Sequence, residues 1–205
     1  MKTVKVFFLL AAGLVVFVAA TVIRAGYDVG DNVSEFRLKN TDGKMISLSD
    51  FKSEKGVIVI FDCNTCPFSK AYNERIVALN KKYSSQGFPV VAINANDPEK
   101  SPGDSFNDMV VQAKKNHYDF PYLVDETQAV ARAFGATNTP HVFVLKKDGD
   151  NFVVAYIGAI DNNAHNAANA DKRYVEEAVE SILQNKPLST TKTKAIGCGI
   201  KWKNV

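Results

Sequence analysis

The chain has 205 residues, 46% of them hydrophobic and 23% charged, proportions of an ordinary globular protein rather than a disordered one. Its formal charge of +3 comes from the first 25 residues, where Lys2, Lys5 and Arg24 are the charged side chains; beyond them acidic and basic residues balance. A neutral remainder offers no basic surface, which sets nucleic acid and anionic membranes aside as partners.

Residues 1–25 read as a targeting segment. Lys2 and Lys5 form a positive start, Phe7 to Ile23 is uncharged and mostly apolar, and Ala19, Ala20 and Ala25 are candidate cleavage points. The run is long for a signal-peptide core and sits at the lower edge of what spans a bilayer, so a cleaved secretory signal and an uncleaved single-pass anchor are both open. A buried core helix is disfavoured because the run has no polar face. Either surviving reading predicts export: a periplasmic or secreted protein, touching a membrane only through this segment if it is uncleaved.

Next, Val33 to Leu38 alternates apolar and polar residues, Asn40-Thr41-Asp42-Gly43 supplies a turn, and Lys44 to Leu48 alternates again, which predicts a hairpin. Gly56 opens Val57 to Phe61, a continuous apolar run of the kind buried on both faces of a helix-covered sheet. Cys66 to Gln86 reads as helix: Pro67 suits the first turn, Tyr72, Ile76, Leu79 and Tyr83 recur every three or four residues, and Gly87 stops the run. A second strand follows over Pro89 to Asn94, then a polar loop to Asp104 and a helix ending near Lys115. Phe120 to Val124 is a short strand, and Glu126 to Phe134 a short helix closed by Gly135. His141 to Lys146 and Phe152 to Ile157 form a pair joined by a Gly turn. Residues 162–170 read as a surface loop. Asp171 to Gln184 is the last helix, with Tyr174, Ala178, Ile182 and Leu183 along one stripe.

The order β-β-β-α-β-α-β-α-β-β-α predicts an α/β sandwich, a mixed central sheet between helices with an N-terminal β-hairpin extension. It divides the chain into the targeting segment 1–25, one domain over 26–185, and a polar, flexible tail over 186–205 that carries Cys198.

Three cysteines are neither dense nor even in number, unlike a disulfide-stapled scaffold. Cys63 directly follows the buried strand and Cys66 opens a helix. The unpaired N–H groups and positive dipole end of that helix favour a thiolate at the first cysteine, and a thiolate is what exchange with a disulfide requires. A zinc site would need four ligands, and only Cys198 and three scattered histidines remain. A purely structural disulfide stays open, because exported proteins form them. Thr139-Pro140 stands immediately before a strand; if that bond is cis, Thr139 can offer its backbone to an extended ligand. His141, next in sequence, reads as a strand-face residue. The loop 94–104 has the composition of a calcium site without the ligand spacing of one.

Phe36 to Phe51 resembles the opening of the redoxin group, the alkyl hydroperoxide reductase/thiol-specific antioxidant superfamily with its exported thioredoxin-like reductases. Phe61-Asp62-Cys63-Asn64-Thr65-Cys66-Pro67-Phe68, Ala92 to Asp97, Phe120 to Gln128 and Phe134 to Pro140 look like a peroxiredoxin-like branch of it carrying CxxC, and Gly197 to Trp202 resembles an ending seen there. The resemblance spans most of residues 33–202. It implies the thioredoxin fold, a cis bond at Pro140 beside the cysteine pair, and redox activity at Cys63 and Cys66. Two departures stand out. Asp62 precedes Cys63 where thioredoxins carry Trp, and Asn64-Thr65 fill the gap where they carry Gly-Pro. A carboxylate there opposes thiolate formation if it points inward, with Lys70 or the helix dipole as an offset. The Pro and Thr or Ser that precede a peroxide-reacting cysteine are also absent, since Ile60-Phe61-Asp62 occupy those positions.

These features predict a thiol–disulfide oxidoreductase in which Cys63 attacks, Cys66 resolves, and Thr139 and Pro140 hold the partner's backbone. Expected partners are protein or small-molecule thiols and disulfides and a redox partner protein, with no cofactor and no metal. Thiol-dependent peroxide reduction at the same cysteine, an antioxidant role, is one alternative; a non-catalytic interaction module stapled by a structural disulfide is another. Cys198 is either an incidental or intermolecular thiol, or an auxiliary one reaching the pair if the tail folds back, with Ile200 and Trp202 as apolar anchors.

Overall fold

The hairpin forms from β1 (Arg37–Asn40) and β2 (Met45–Ser47). The structure, a computed structural model, describes residues 26–204, so the targeting segment lies outside the described residues. Among the described residues no helix is long and apolar enough to cross a membrane.

β3 (Gly56–Phe61) is buried at every position, and its alternation divides it between two cores. Ile58 and Ile60 face one layer; Val57, Val59 and Phe61 face the other. α1 (Pro67–Tyr83) follows, with Pro67 in its first turn and Tyr72, Ile76, Leu79 and Tyr83 on its buried face. A short 3-10 turn over Ser84–Gln86 ends at Gly87, whose φ of 90° favours a residue without a side chain. Then come β4 (Val90–Asn94), α2 (Phe106–Lys115), β5 (Tyr122–Val124) and α3 (Ala129–Phe134). The two-residue β6 (Asn138–Thr139) precedes β7 (His141–Asp148), which turns into β8 (Asn151–Gly158), and α4 (Tyr174–Leu183) closes the layer.

The main sheet runs β2-β1-β5-β4-β3-β7-β8. β3, β4 and β5 are parallel, while β7 is antiparallel to β3 and β8, and β1 to β5. Parallel strands joined through helices, with an antiparallel hairpin at the end, make the thioredoxin fold, with the expected N-terminal hairpin added at the far edge. One face packs against α1, α4 and Met109 of α2. The other packs against α3 and the N-terminal segment, around Phe134, whose ring meets Tyr27, Phe36, Phe61 and Phe143 edge-on. Each such large side chain contributes roughly 1.5–3 kcal/mol by burial, which holds the central strands rigidly and therefore fixes what stands at their ends.

Residues 162–170 form the expected surface loop, exposed over 165–169 and tied down where it begins: Arg75 of α1 donates to Asp161 at 2.6 Å and to the carbonyls of Asn163 and Ala164 at 2.7 and 3.1 Å. The tail is also bound rather than flexible. Cys198–Gly199 form β9, paired antiparallel with β6, and Ile200 enters the second core with Trp202 packed beside it. A two-residue strand between polar and glycine neighbours has no periodicity to betray it; only its partner defines it.

Candidate active site

The carboxyl end of β3 delivers Asp62 and Cys63 to the amino end of α1, where Cys66 is the N-cap in extended conformation. Cys63, Cys66 and Cys198 are free thiols, and both residues of the pair are only 3% exposed. Thr139-Pro140 is a cis peptide. It lies directly against the pair: Cys63 Sγ is 3.1 Å from Thr139 Oγ1, and Cys66 Sγ donates to the Thr139 carbonyl at 3.2 Å. Ser69 Oγ stands 3.8 Å from Cys63 Sγ on the helix side. Cys63, Cys66, Thr139 and Pro140, picked out separately in the sequence, are therefore one cluster.

The residues between the cysteines are held by a carboxylate that the sequence did not flag. Asp104, buried, accepts from Asn64 N–H at 2.7 Å and from Thr65 Oγ1 at 2.8 Å. It also accepts from Asn94 Nδ2, Asn96 Nδ2 and Ser101 Oγ at 3.1, 2.9 and 2.6 Å. The Asn64 side chain is fixed in turn, donating to the Gly103 carbonyl at 2.8 Å and accepting from Tyr122 OH at 2.9 Å. The loop 94–104, whose amides and carboxylates suggest a cation site by composition, spends them largely on one another and, through Asp104, on the CxxC segment. Its only signal in the sequence was that density of short polar side chains. Among the described residues no group of three or more His, Cys, Asp or Glu is placed to hold a metal ion.

Asp62 does point inward. Burial pushes its carboxyl up to about 7, against hydrogen bonds from Ser69 and the Cys63 N–H, and its Oδ1 has no hydrogen-bond partner. The two thiols titrate as a pair. Donation to Cys66 chiefly, then burial, then the charges of Asp62 and Asp104 push Cys63 up. Cys66 is pulled down, chiefly because Cys63 donates to it and, against the cost of burial, because Cys198 does as well. This corrects the expectation of a lowered pKa at Cys63. Cys63 is the donor in the hydrogen bond the two thiols share, and burial and the inward carboxylate, acting as a like charge, add to this; Lys70 is exposed. His141 is buried and pushed down to about 4 by desolvation, so it stays neutral, its Nδ1 accepting from the Thr137 N–H at 3.3 Å.

Cys198 is at the site. Its backbone N–H donates to Cys66 Sγ at 3.3 Å, and the register of β9 sets it opposite Thr139.

The chain as a whole is similar to known proteins. The chain is 26% identical over 153 residues to the thiol-disulfide oxidoreductase ResA of Geobacillus thermodenitrificans (strain NG80-2), over 73% of this chain and 82% of that protein. An uncharacterized conserved protein of Geobacillus kaustophilus superposes with a TM-score of 0.80 at 34% identity, covering 87% of this chain and 94% of that one. A putative thiol:disulfide interchange protein DsbE from Chlorobium tepidum, 22% identical with a TM-score of 0.59 over 76% of this chain and 98% of that one, shares the fold. The description of the AhpC/TSA family matches residues 29–155, more than half of the chain, and the protein belongs to that family.

Proposed function

We propose that the protein is an exported thiol–disulfide oxidoreductase working through Cys63 and Cys66. The observation that carries this reading is the contact of both sulfurs with one residue, Thr139, which leads into a cis proline and ends a short strand. A disulfide-bearing chain that takes the place of β9 along Thr139 comes within reach of the pair, since an extended peptide added to a strand edge is held by its backbone. The ResA relatives carry the same activity in their name, and the apolar run Phe7 to Ile23 is the basis for export.

The reaction is two successive exchanges. Cys63 attacks one sulfur of the substrate disulfide as its proton passes to Cys66, and the other substrate sulfur leaves as a thiolate. Cys66 then gives up that proton and attacks Cys63 Sγ, forming the Cys63–Cys66 disulfide and releasing the second substrate thiol. The substrate gains two electrons and the pair loses two. Asp62, half protonated near neutral pH, is a proton acceptor in the same buried site for the second step. Substrates are protein or small-molecule disulfides, with a separate dithiol protein to restore the reduced pair. Peroxide reduction, the rival reading, is disfavoured by the residues before Cys63, where Ile60-Phe61-Asp62 stand in place of the Pro and the Thr or Ser that precede a peroxide-reacting cysteine.

Trapping tests the assignment. A Cys66→Ser variant exposed to a disulfide-bonded peptide is expected to accumulate a mixed disulfide through Cys63. Failure to trap through Cys63, with Cys63→Ser trapping through Cys66 instead, would reverse the two roles; failure in both removes the activity.

A further inference from the structure

We propose that Cys198 is a third redox thiol of this site, which takes the disulfide from the buried pair by exchange with Cys66. This rests on the reading that Cys63 and Cys66 form a redox couple.

The tail occupies the edge that a bound substrate strand would take. β9 pairs with β6 in the register Thr139↔Cys198 and Asn138↔Gly199, and Ile200 N–H donates to the Thr137 carbonyl at 3.0 Å. The Cys198 N–H rests on Cys66 Sγ, the sulfur favoured to carry the charge. The segment is held on both sides of Cys198. Upstream, Thr193 Oγ1 lies 2.6 Å from Tyr156 OH and accepts from Ala159 N–H at 2.9 Å. Downstream, Ile200 is buried, Lys201 N–H donates to Asn96 Oδ1 at 2.9 Å, and Trp202 lies 4.5 Å from the Arg132 guanidinium. Gly197 belongs to the fit: a Cβ there would overlap the carbonyl of Thr139. An incidental cysteine needs none of this, whereas a strap pinned at both ends sets one thiol over Cys66.

Exposure gives the arrangement its use. Cys63 and Cys66 are 3% exposed, while Cys198 is half-buried and so within reach of an outside thiol. Starting from the Cys63–Cys66 disulfide left by a substrate disulfide, the Cys198 thiolate attacks Cys66 Sγ. The Cys66–Cys198 bond forms, the Cys63–Cys66 bond breaks, and Cys63 leaves as a thiolate that takes up the proton Cys198 gave up. No electrons are gained or lost; the disulfide only moves outward, where an external dithiol reductant attacks Cys198 and frees Cys66. In the reduced site burial, and then the Cys66 sulfur, hold Cys198 up at about 11. Once Cys66 is bound in a disulfide its charge no longer raises Cys198, while burial still raises it and Lys201 still draws it down.

Full-length protein is oxidised with oxidised glutathione, alkylated, digested without reduction and mapped by mass spectrometry. A Cys66–Cys198 peptide is expected beside Cys63–Cys66 in the wild type, and as the main intramolecular disulfide in Cys63→Ser. Gly197→Val is expected to lose the Cys66–Cys198 peptide while keeping Cys63–Cys66. If Cys63–Cys66 forms but Cys66–Cys198 is missing from both wild type and Cys63→Ser, this proposal is overturned and the redox reading of the pair stands. If Cys66–Cys198 forms without Cys63–Cys66, the third thiol is supported and the reading of the pair fails; absence of both overturns both.

Discussion

Two buried carboxylates flank the cysteine pair, and they are opposites. Asp104 comes from a polar loop and is filled with donors from the CxxC segment and from its own loop. Asp62 comes from the end of the central strand, is fully buried beside the thiols with hydrogen bonds only from Ser69 and the Cys63 N–H, and has an oxygen without a partner. The same functional group therefore does two jobs according to its surroundings. A saturated acceptor fixes geometry, because removing it strands several buried donors. An under-bonded one is poised to change its proton near neutral pH, and its charge is felt by the adjacent thiols.

The sharpest way to break the contrast is to remove the saturated member. Asp104→Ala leaves Asn64 N–H, Thr65 Oγ1 and the loop amides without their acceptor, and a loss of about 3 kcal/mol is expected from unsatisfied buried donors. Urea unfolding with an unchanged m-value checks it, and oxidation of the pair should slow as the segment loosens.

Asp62→Asn should act in the other direction. In the unfolded chain an aspartate ionises near pH 4 and in this fold at about 7, so the native state binds the extra proton between them. Its contribution to stability is full below about pH 4 and is lost as pH rises through 7. Three pH units correspond to about 4 kcal/mol at most, so the variant is expected to be more stable than wild type at pH 8 by roughly 2–4 kcal/mol and nearly equal at pH 4. Thiolate absorbance of the pair should also appear at lower pH in the variant, since a like charge has gone. A variant no more stable at pH 8 would remove the distinction between the two carboxylates.

The smallest expected effect is at Thr65→Val, which deletes one donor to Asp104 and the 3.0 Å contact with Ser101 Oγ. A loss of about 1 kcal/mol is expected, with the redox couple retained.

The legible parts of the molecule were those with a repeating pattern or a local rule. Val57 to Phe61 and the Tyr72-Ile76-Leu79-Tyr83 stripe declared a buried strand and a helix by period, and Cys63 and Cys66 were marked by their position between the two. Pro140 was marked by standing at a strand's beginning. What the sequence could not supply were contacts between distant segments without periodicity: Asp104 reaching back to Asn64 and Thr65, β9 finding β6, and Arg75 closing the 161–164 loop. The misplacement of the lowered thiol has the same origin. Spacing places Cys66 at the helix start but does not say which thiol donates to the other, or that Asp62 turns inward, and those two facts decide where the charge sits.

The central claim is that Cys63 and Cys66 form a reversible couple, and a redox titration tests it most directly. Full-length protein is equilibrated across glutathione buffers, quenched in acid, and the Cys63–Cys66 peptide is quantified. A single two-electron transition is expected, tenfold in equilibrium constant for every ~30 mV, at a potential above about −300 mV where exchange with partners is feasible. A pair that stays oxidised throughout, or one that never oxidises, would contradict it.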